Sequence, residues 1–367
     1  MNKKWQIGAV GLFFFLCFCS CQKGEKADVE RAEGIPVIRN PKEPVAVNGK
    51  LAKLILEEEL SIGEPEGREE HMFSEVPSVA VDDDENIYVL DYQRSHVRIF
   101  NDRGEYLTSI GKSGQGPLEF IEPWSLLISH EKHLVVNDSG NNLLKFFTLD
   151  GKFIKSLSTA TLRFFSRFKM DSQGYITART ARYDAKDAWF EVSRFDPELN
   201  LIKVIASYNY PFRSDFNPYR SHFHWQIRKN DTLIIGLPEE YELQLMTPEG
   251  EVIKRIVKDY DPSEITEEEK EEERKKHPDY VRPVFPKFYP PFQTITLDEE
   301  DRIFVQTWKK TRDGSGFFYD VFDSEGRHIT TFPLESRPLI WKKGKLYALF
   351  EDEKGFQKIK RYQARWE

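Results

Sequence analysis

Two stretches of this chain superimpose at a constant offset of 47 residues. Val79-Ala80-Val81-Asp82 falls on Leu126-Leu127-Ile128-Ser129, and Ile87-Tyr88-Val89-Leu90-Asp91 on Leu134-Val135-Val136-Asn137-Asp138. The same offset carries Val97-Arg98-Ile99-Phe100 onto Leu144-Lys145-Phe146-Phe147, Gly104 onto Gly151 and Phe73 onto Phe120. Each unit is four short β-rich runs: two apolar and β-branched, a third that alternates, then a turn into a fourth. Such a unit cannot bury both faces alone and must stack on copies of itself; four-stranded units of this length close radially into a propeller.

Weaker copies follow. A third unit includes Phe168 to Asp171 and Tyr175 to Ala178, a fourth Leu233 to Ile235, a fifth Ile303 to Val305, and a sixth Leu346 to Leu349. The sixth ends without a fourth strand, whereas Gly49 to Leu56 has the look of Gly151 to Leu157, a fourth strand without its first three. Joining the two closes the ring and removes two sheet edges. The expected fold is therefore all-β: a six-bladed β-propeller over residues 51–367, closed by an N-terminal strand that completes the last blade. Residues 259–293 match nothing in the repeat and form an insertion between blades four and five. Within it, Thr266 to Glu269 is a capping box, and cations then precede Pro278, so a short solvated helix is expected. The aromatic-proline stretch from Val284 to Phe292 is expected to pack over one mouth of the ring.

Residues 1–20 have the parts of a secretory signal: Lys3 and Lys4, an apolar run from Ile7 to Phe18, then Cys19 and Ser20. The run is too short to cross a bilayer core of ~30 Å as a helix. Phe18-Cys19-Ser20-Cys21 resembles the bacterial lipobox, with Phe18 where leucine is usual, and implies lipidation at Cys21. Ordinary secretion with cleavage nearby is the alternative. The only cysteines are Cys17, Cys19 and Cys21, so a chain cleaved before Cys21 has no disulfide, no other thiolate and no cysteine-ligated zinc. Residues 21–50, polar and punctuated by Pro36, Pro41 and Pro44, read as a lipidated tether. A net charge of -8 excludes general nucleic-acid binding, which needs a basic surface.

Gly111-Lys112-Ser113-Gly114-Gln115-Gly116-Pro117-Leu118-Glu119-Phe120 is similar to the G-x-x-G-x-G-P-x-E-F signature of six-bladed β-propeller lipoproteins of Gram-negative bacteria, relatives of NHL-repeat and TolB-like propellers. The resemblance implies the fold and a cell-envelope address. It does not imply an activity, because such families include binders, scaffolds, lyases and hydrolases. A phosphate cradle would need a helix after the glycines, whereas another strand follows.

Ligands of propellers usually meet the face where the innermost strands begin and the second strands end. The repeat places Ser78, Ser125, Arg167, His224, Thr294 and Arg337 at the inner-strand starts, with Asp91, Asp138, Gln306 and Thr307 at the second-strand ends. The expectation is a funnel with a cationic side at Arg167, His224 and Arg337 and an acidic side at Asp91 and Asp138. It would suit a carboxylate, a phosphate or an acidic sugar through guanidinium pairing, unless these cations simply salt-bridge to Asp91, Asp138 or neighbouring loops. His222 and His224 could share a metal; no third ligand is evident, and Asp91 or Asp138 would reach it only in a narrow channel. Asp82 to Asn86 departs from a calcium loop and reads as a polar turn. Trp124, Trp189, Trp225, Trp308 and Trp341 suit blade packing or sugar stacking. The functional expectation is a lipid-anchored, non-catalytic envelope propeller without a cofactor. It would be a monomer that binds a small anion, glycan, peptide or envelope protein and no nucleic acid, held to the membrane through Cys21. The alternative is a metal-assisted lyase or hydrolase that uses His222 or His224 with a channel carboxylate.

Overall fold

The computed structural model describes residues 27–32, 34–184, 187–211, 216–220, 222–237, 239–278 and 280–367. The signal segment and Cys21 lie outside the described residues. Six antiparallel sheets stand around one axis. Their innermost strands are Ser78–Val81, Pro123–Ile128, Ser166–Met170, His224–Ile227, Thr294–Leu297 and Arg337–Lys342. Each touches the next, and the sixth returns to the first, so the ring is closed.

Second strands such as Ile87–Asp91 and Leu233–Gly236 are buried along their whole length, which is why their sequence does not alternate. Apolar side chains gather into six clusters, one at each junction between blades. The core is thus a ring of interfaces, and no blade has a core of its own. Closure is as expected: Leu54–Ile62 pairs antiparallel with Gln357–Trp366, from Ile62 opposite Ile359 to Leu54 opposite Trp366. In blades one, three and five the turn between first and second strands is set by one carboxylate. Asp82, Asp171 and Asp298 each accept from the backbone N–H groups two and four residues on, at 2.8–3.0 Å.

The glycine signature is a folded crossover between blades one and two. Gly111 has φ +95°, and a β-carbon there would overlap the Phe120 ring. Glu119 accepts from the Gly116 N–H at 2.9 Å, and Phe120 itself is fully buried between the two blades.

Two expectations are corrected. Residues 28–40 are not a tether: Asp28–Ala32 and Ile35–Asn40 form a hairpin, and its second strand pairs parallel with Val252–Lys258, extending blade four to six strands. Val37 and Ile38 cover the outer edge of that blade, while the buried Asn40 donates to the Gly326 carbonyl (2.9 Å) and accepts from the His328 N–H (2.8 Å). Pro36 is harmless because the parallel pairing begins at Val37.

Asp91 and Asp138 do not face the channel. Both are fully buried inside their blades, Asp91 3.5 Å from Arg98 and Asp138 2.8 Å from Lys145. Each staples the loop that enters its blade. Asp91 accepts from the Ser74 N–H (3.2 Å) and Asp138 from the Ile121 N–H (2.7 Å). The cations complete the staple, Arg98 donating to the Met72 carbonyl (2.8 Å) and Lys145 to that of Gly116 (2.9 Å). Removing one partner strands the other charge in the protein interior. Asp138→Ala is therefore expected to lower unfolding free energy by about 3–5 kcal/mol in denaturant titration, and Asp138→Leu with Lys145→Met to cost clearly less than the single change.

Candidate functional site

The six inner strands enclose a channel of about 1020 Å³. Ser78, Ser125, Arg167, His224, Thr294 and Arg337, the six predicted starts, all line it, as does Gln306. Thr307 instead turns its hydroxyl to the Phe318 carbonyl at 2.8 Å. Sequence reasoning missed Lys169, which lies deeper on the inner strand of Arg167, and Gln293 and Gln357 at the rim. Among the described residues of the insertion only Gln293 lines the channel, and in place of the expected cover over the mouth the aromatic stretch packs against blades four and five. Phe292 packs against His224 (6.0 Å between centroids) and Tyr241 (5.5 Å), Tyr289 stacks on Trp308 at 4.2 Å, and Gln293 is pinned to the Thr307 carbonyl at 2.7 Å. The predicted helix is Glu267–Lys275, with the Thr266–Glu269 capping box in place.

The distribution of charge distinguishes the two ends of this channel. Toward the far end Asp83 is neutralised by Lys342 (2.7 Å) and Lys132 (3.3 Å). No such pairing exists for Arg167, Lys169 and Arg337 in the channel or for Arg179 in the adjoining recess: among the described residues none of the four forms a salt bridge, although the charge of Glu351 reaches Arg337. Arg337 donates only to the Val76 carbonyl (3.3 Å), and Arg179 to the Ser166 hydroxyl (3.1 Å). Glu75 also lines the mouth and makes no ion pair with them. The alternative in which the funnel cations pair with Asp91 and Asp138 is thereby removed, since those carboxylates are occupied by Arg98 and Lys145.

Arg167 is the centre of this cluster. Its φ of +49° lies in the left-handed region that a non-glycine residue resists, at a bulge between Ser166 and Lys169. The side chain stays exposed to the channel. Burial lowers its pKa, and the charge of Arg337 lowers it further. Burial and then Arg167 lower that of Lys169, and burial with Arg167 brings Arg179 down to about 10. Burial first, then Arg167, depresses His224 to about 3; burial, then Arg179 and Arg167, depresses His222 to about 4. These shifts describe one acid-poor region in which positive charges oppose one another. Orphaned hydrogen-bonding atoms lie in the same channel: Ser125 Oγ, Thr296 Oγ1 and His224 Nδ1 are buried without a partner.

The metal reading does not fit these surroundings. His224 faces the channel, whereas His222 sits edge-on to Phe190 at 6.1 Å, in a recess with Arg179 and Tyr208. Among the described residues no group of three or more His, Cys, Asp or Glu side chains could hold a metal. The charges facing both imidazoles are guanidinium groups, which repel a metal cation.

A family model described as 6-bladed beta-propeller matches residues 66–337. The chain belongs to this 6-bladed beta-propeller family. No curated protein matches the sequence. Among solved structures, a Bacteroides fragilis protein named as exported is 12% identical, with TM-score 0.59 and coverage of 90% of this chain and 99% of that one. A DUF4221 family member from Bacteroides vulgatus is 13% identical, with TM-score 0.54 and coverage of 86% and 99%. At such identity these likenesses concern the fold alone. No helix among the described residues is long and apolar enough to cross a membrane.

The depressed histidines set a pH dependence for this propeller. Below the ordinary value of 6.5 the unfolded chain takes up protons that the native His222 and His224 refuse until about pH 4 and about pH 3. Stability is therefore present above pH 6.5 and falls with acidification through that window, by at most about 1.4 kcal/mol per pH unit for each histidine. His224→Gln is expected to flatten the acid limb of the stability profile between pH 6 and pH 4 in denaturant titrations, relative to the parent chain.

Proposed function

We propose that this propeller is an exported, lipid-anchored protein of the cell envelope that binds an anionic ligand at the channel mouth and catalyses no reaction. The observation that carries the reading is the set of unneutralised cations around Arg167. Folding brings Arg167, Lys169 and Arg337 into confinement without a salt-bridged carboxylate, Arg337 alone feeling a more distant one at Glu351, a cost that a structural role does not repay and a bound anion does. Guanidinium groups at Arg167 and Arg337 can each present two parallel N–H donors to a carboxylate or phosphate. Among the described residues no three His, Cys, Asp or Glu side chains could hold the metal that the lyase or hydrolase alternative requires.

The envelope address rests on the signal pattern of residues 1–21 and accords with the Bacteroides fragilis neighbour named as exported. With Cys21 as the lipid carrier, the seven chain steps to Asp28 reach at most about 25 Å. Asp28 pairs with Arg39, beside the mouth-side end of Val252–Lys258. That rim of blade four would then lie nearest the bilayer.

Thermal unfolding and calorimetry at low salt, with sulfate, phosphate and small carboxylates as probes, test the binding reading. An anion at about 100 Kd should stabilise the native state by about 2.7 kcal/mol. Arg167→Ala combined with Arg337→Ala should abolish this gain while leaving the melting temperature of the free protein unchanged or higher. Equal stabilisation of parent and double variant would overturn the reading. Cys21→Ser should move the expressed protein from the membrane fraction to the soluble envelope fraction; membrane retention of that variant would count against the anchor.

A further inference from the structure

The mouth carries more than positive charge, and its remaining chemistry narrows the ligand class. Trp124 opens the inner strand of blade two next to Ser125, lines the channel and is 44% exposed. The indole is held, since Tyr92 meets it edge-on at 5.2 Å and 86°. Other tryptophans of the ring are occupied in packing: Trp225 and Trp341 are buried, Trp308 lies under Tyr289, and Trp189 lies under the Arg182 guanidinium at 3.9 Å. The Tyr92 contact ties blade one to blade two and still leaves much of Trp124 exposed at a polar mouth, more than blade packing requires. Around it the rim presents neutral hydrogen-bonding groups, among them Gln293, Thr294 and Gln306 and the orphaned Ser125 hydroxyl. The channel volume of about 1020 Å³ stands at the upper end of small-molecule sites and far exceeds a single small anion.

We infer that the ligand is an acidic oligosaccharide, with a sugar ring lying on Trp124, its hydroxyls meeting the neutral rim and its carboxylates meeting Arg167 and Arg337. Lys169, deeper on the strand of Arg167, supplies a second anionic subsite and so favours more than one acidic group along the ligand. Each part answers one feature of the mouth. The indole face accepts the C–H face of a pyranose, amides and hydroxyls pair with hydroxyls, and guanidinium forks pair with carboxylates. A small inorganic anion would use the cations and leave the tryptophan and the amides without a function.

This inference rests on the anion-binding reading of the same mouth, and the test separates the two. Calorimetry compares three probes on the full folded chain: a panel of hexuronate di- and trisaccharides, the neutral hexose oligomers of equal length, and citrate. A uronate oligomer is expected to bind at least ten-fold more tightly than citrate and than its neutral counterpart. Trp124→Ala should remove the gain of the oligomer over citrate while citrate binding persists. Arg167→Ala with Arg337→Ala should remove binding of both, with the melting curve of each variant confirming the fold. Citrate binding without preference for any uronate oligomer, or an unchanged preference in Trp124→Ala, would overturn the saccharide assignment and leave anion binding standing. Absence of binding by every probe would overturn both.

Discussion

The pairing of Leu54–Ile62 with Gln357–Trp366 is the contact on which the rest of the molecule depends. A propeller blade buries its faces only against its neighbours, so six blades leave two unsatisfied faces and two open edges until the last blade is finished. Here the finishing strand comes from the other end of the chain, and closure therefore links sequence positions about as distant as the chain allows. The channel is a consequence of that closure. Arg167, His224 and Arg337 come from blades three, four and six, and only a completed ring brings them to one mouth.

Within the ring, charge is sorted by whether a partner is supplied. Asp91 with Arg98, Asp138 with Lys145 and Asp171 with Arg194 are acid–cation pairs inside blades, each with further hydrogen bonds. Such pairs fix loops and registers more than they add stability. The channel and the recess beside it depart from this rule: Arg337 opposes Arg167, and Arg167 in turn lowers the pKa values of Lys169, Arg179, His224 and His222. The left-handed backbone at Arg167 places a charged side chain in that field against a conformational preference. Strain and uncompensated charge at one residue in a channel are the physical signs of a site kept for something other than stability.

Much of this was legible from the repeat. The offset of 47 residues defined the four-strand unit in blades one and two, and the same order of runs, at unequal spacing, located the inner strands of the others and hence all six channel-lining starts, because packing holds strand order the same from blade to blade. The direction of Asp91 and Asp138 was not legible, since their strands are buried on both faces and show no alternation from which to read a face. A signal did exist: Arg98 falls on Lys145 at the same offset, so the acid and its cation repeat together. Lys169 could have been found by continuing along the strand from Arg167. The hairpin of residues 28–40 escaped because it lies outside the repeat and pairs parallel, with Pro36 and polar neighbours masking the Val37-Ile38 pair.

Anomalous diffraction from crystals of this protein soaked in selenate would locate bound anions whatever the natural ligand is. The account predicts an ordered selenate at the mouth within hydrogen-bonding reach of both Arg167 and Arg337. Selenate bound elsewhere with that mouth vacant, or a protein carboxylate found seated against Arg167, would contradict it.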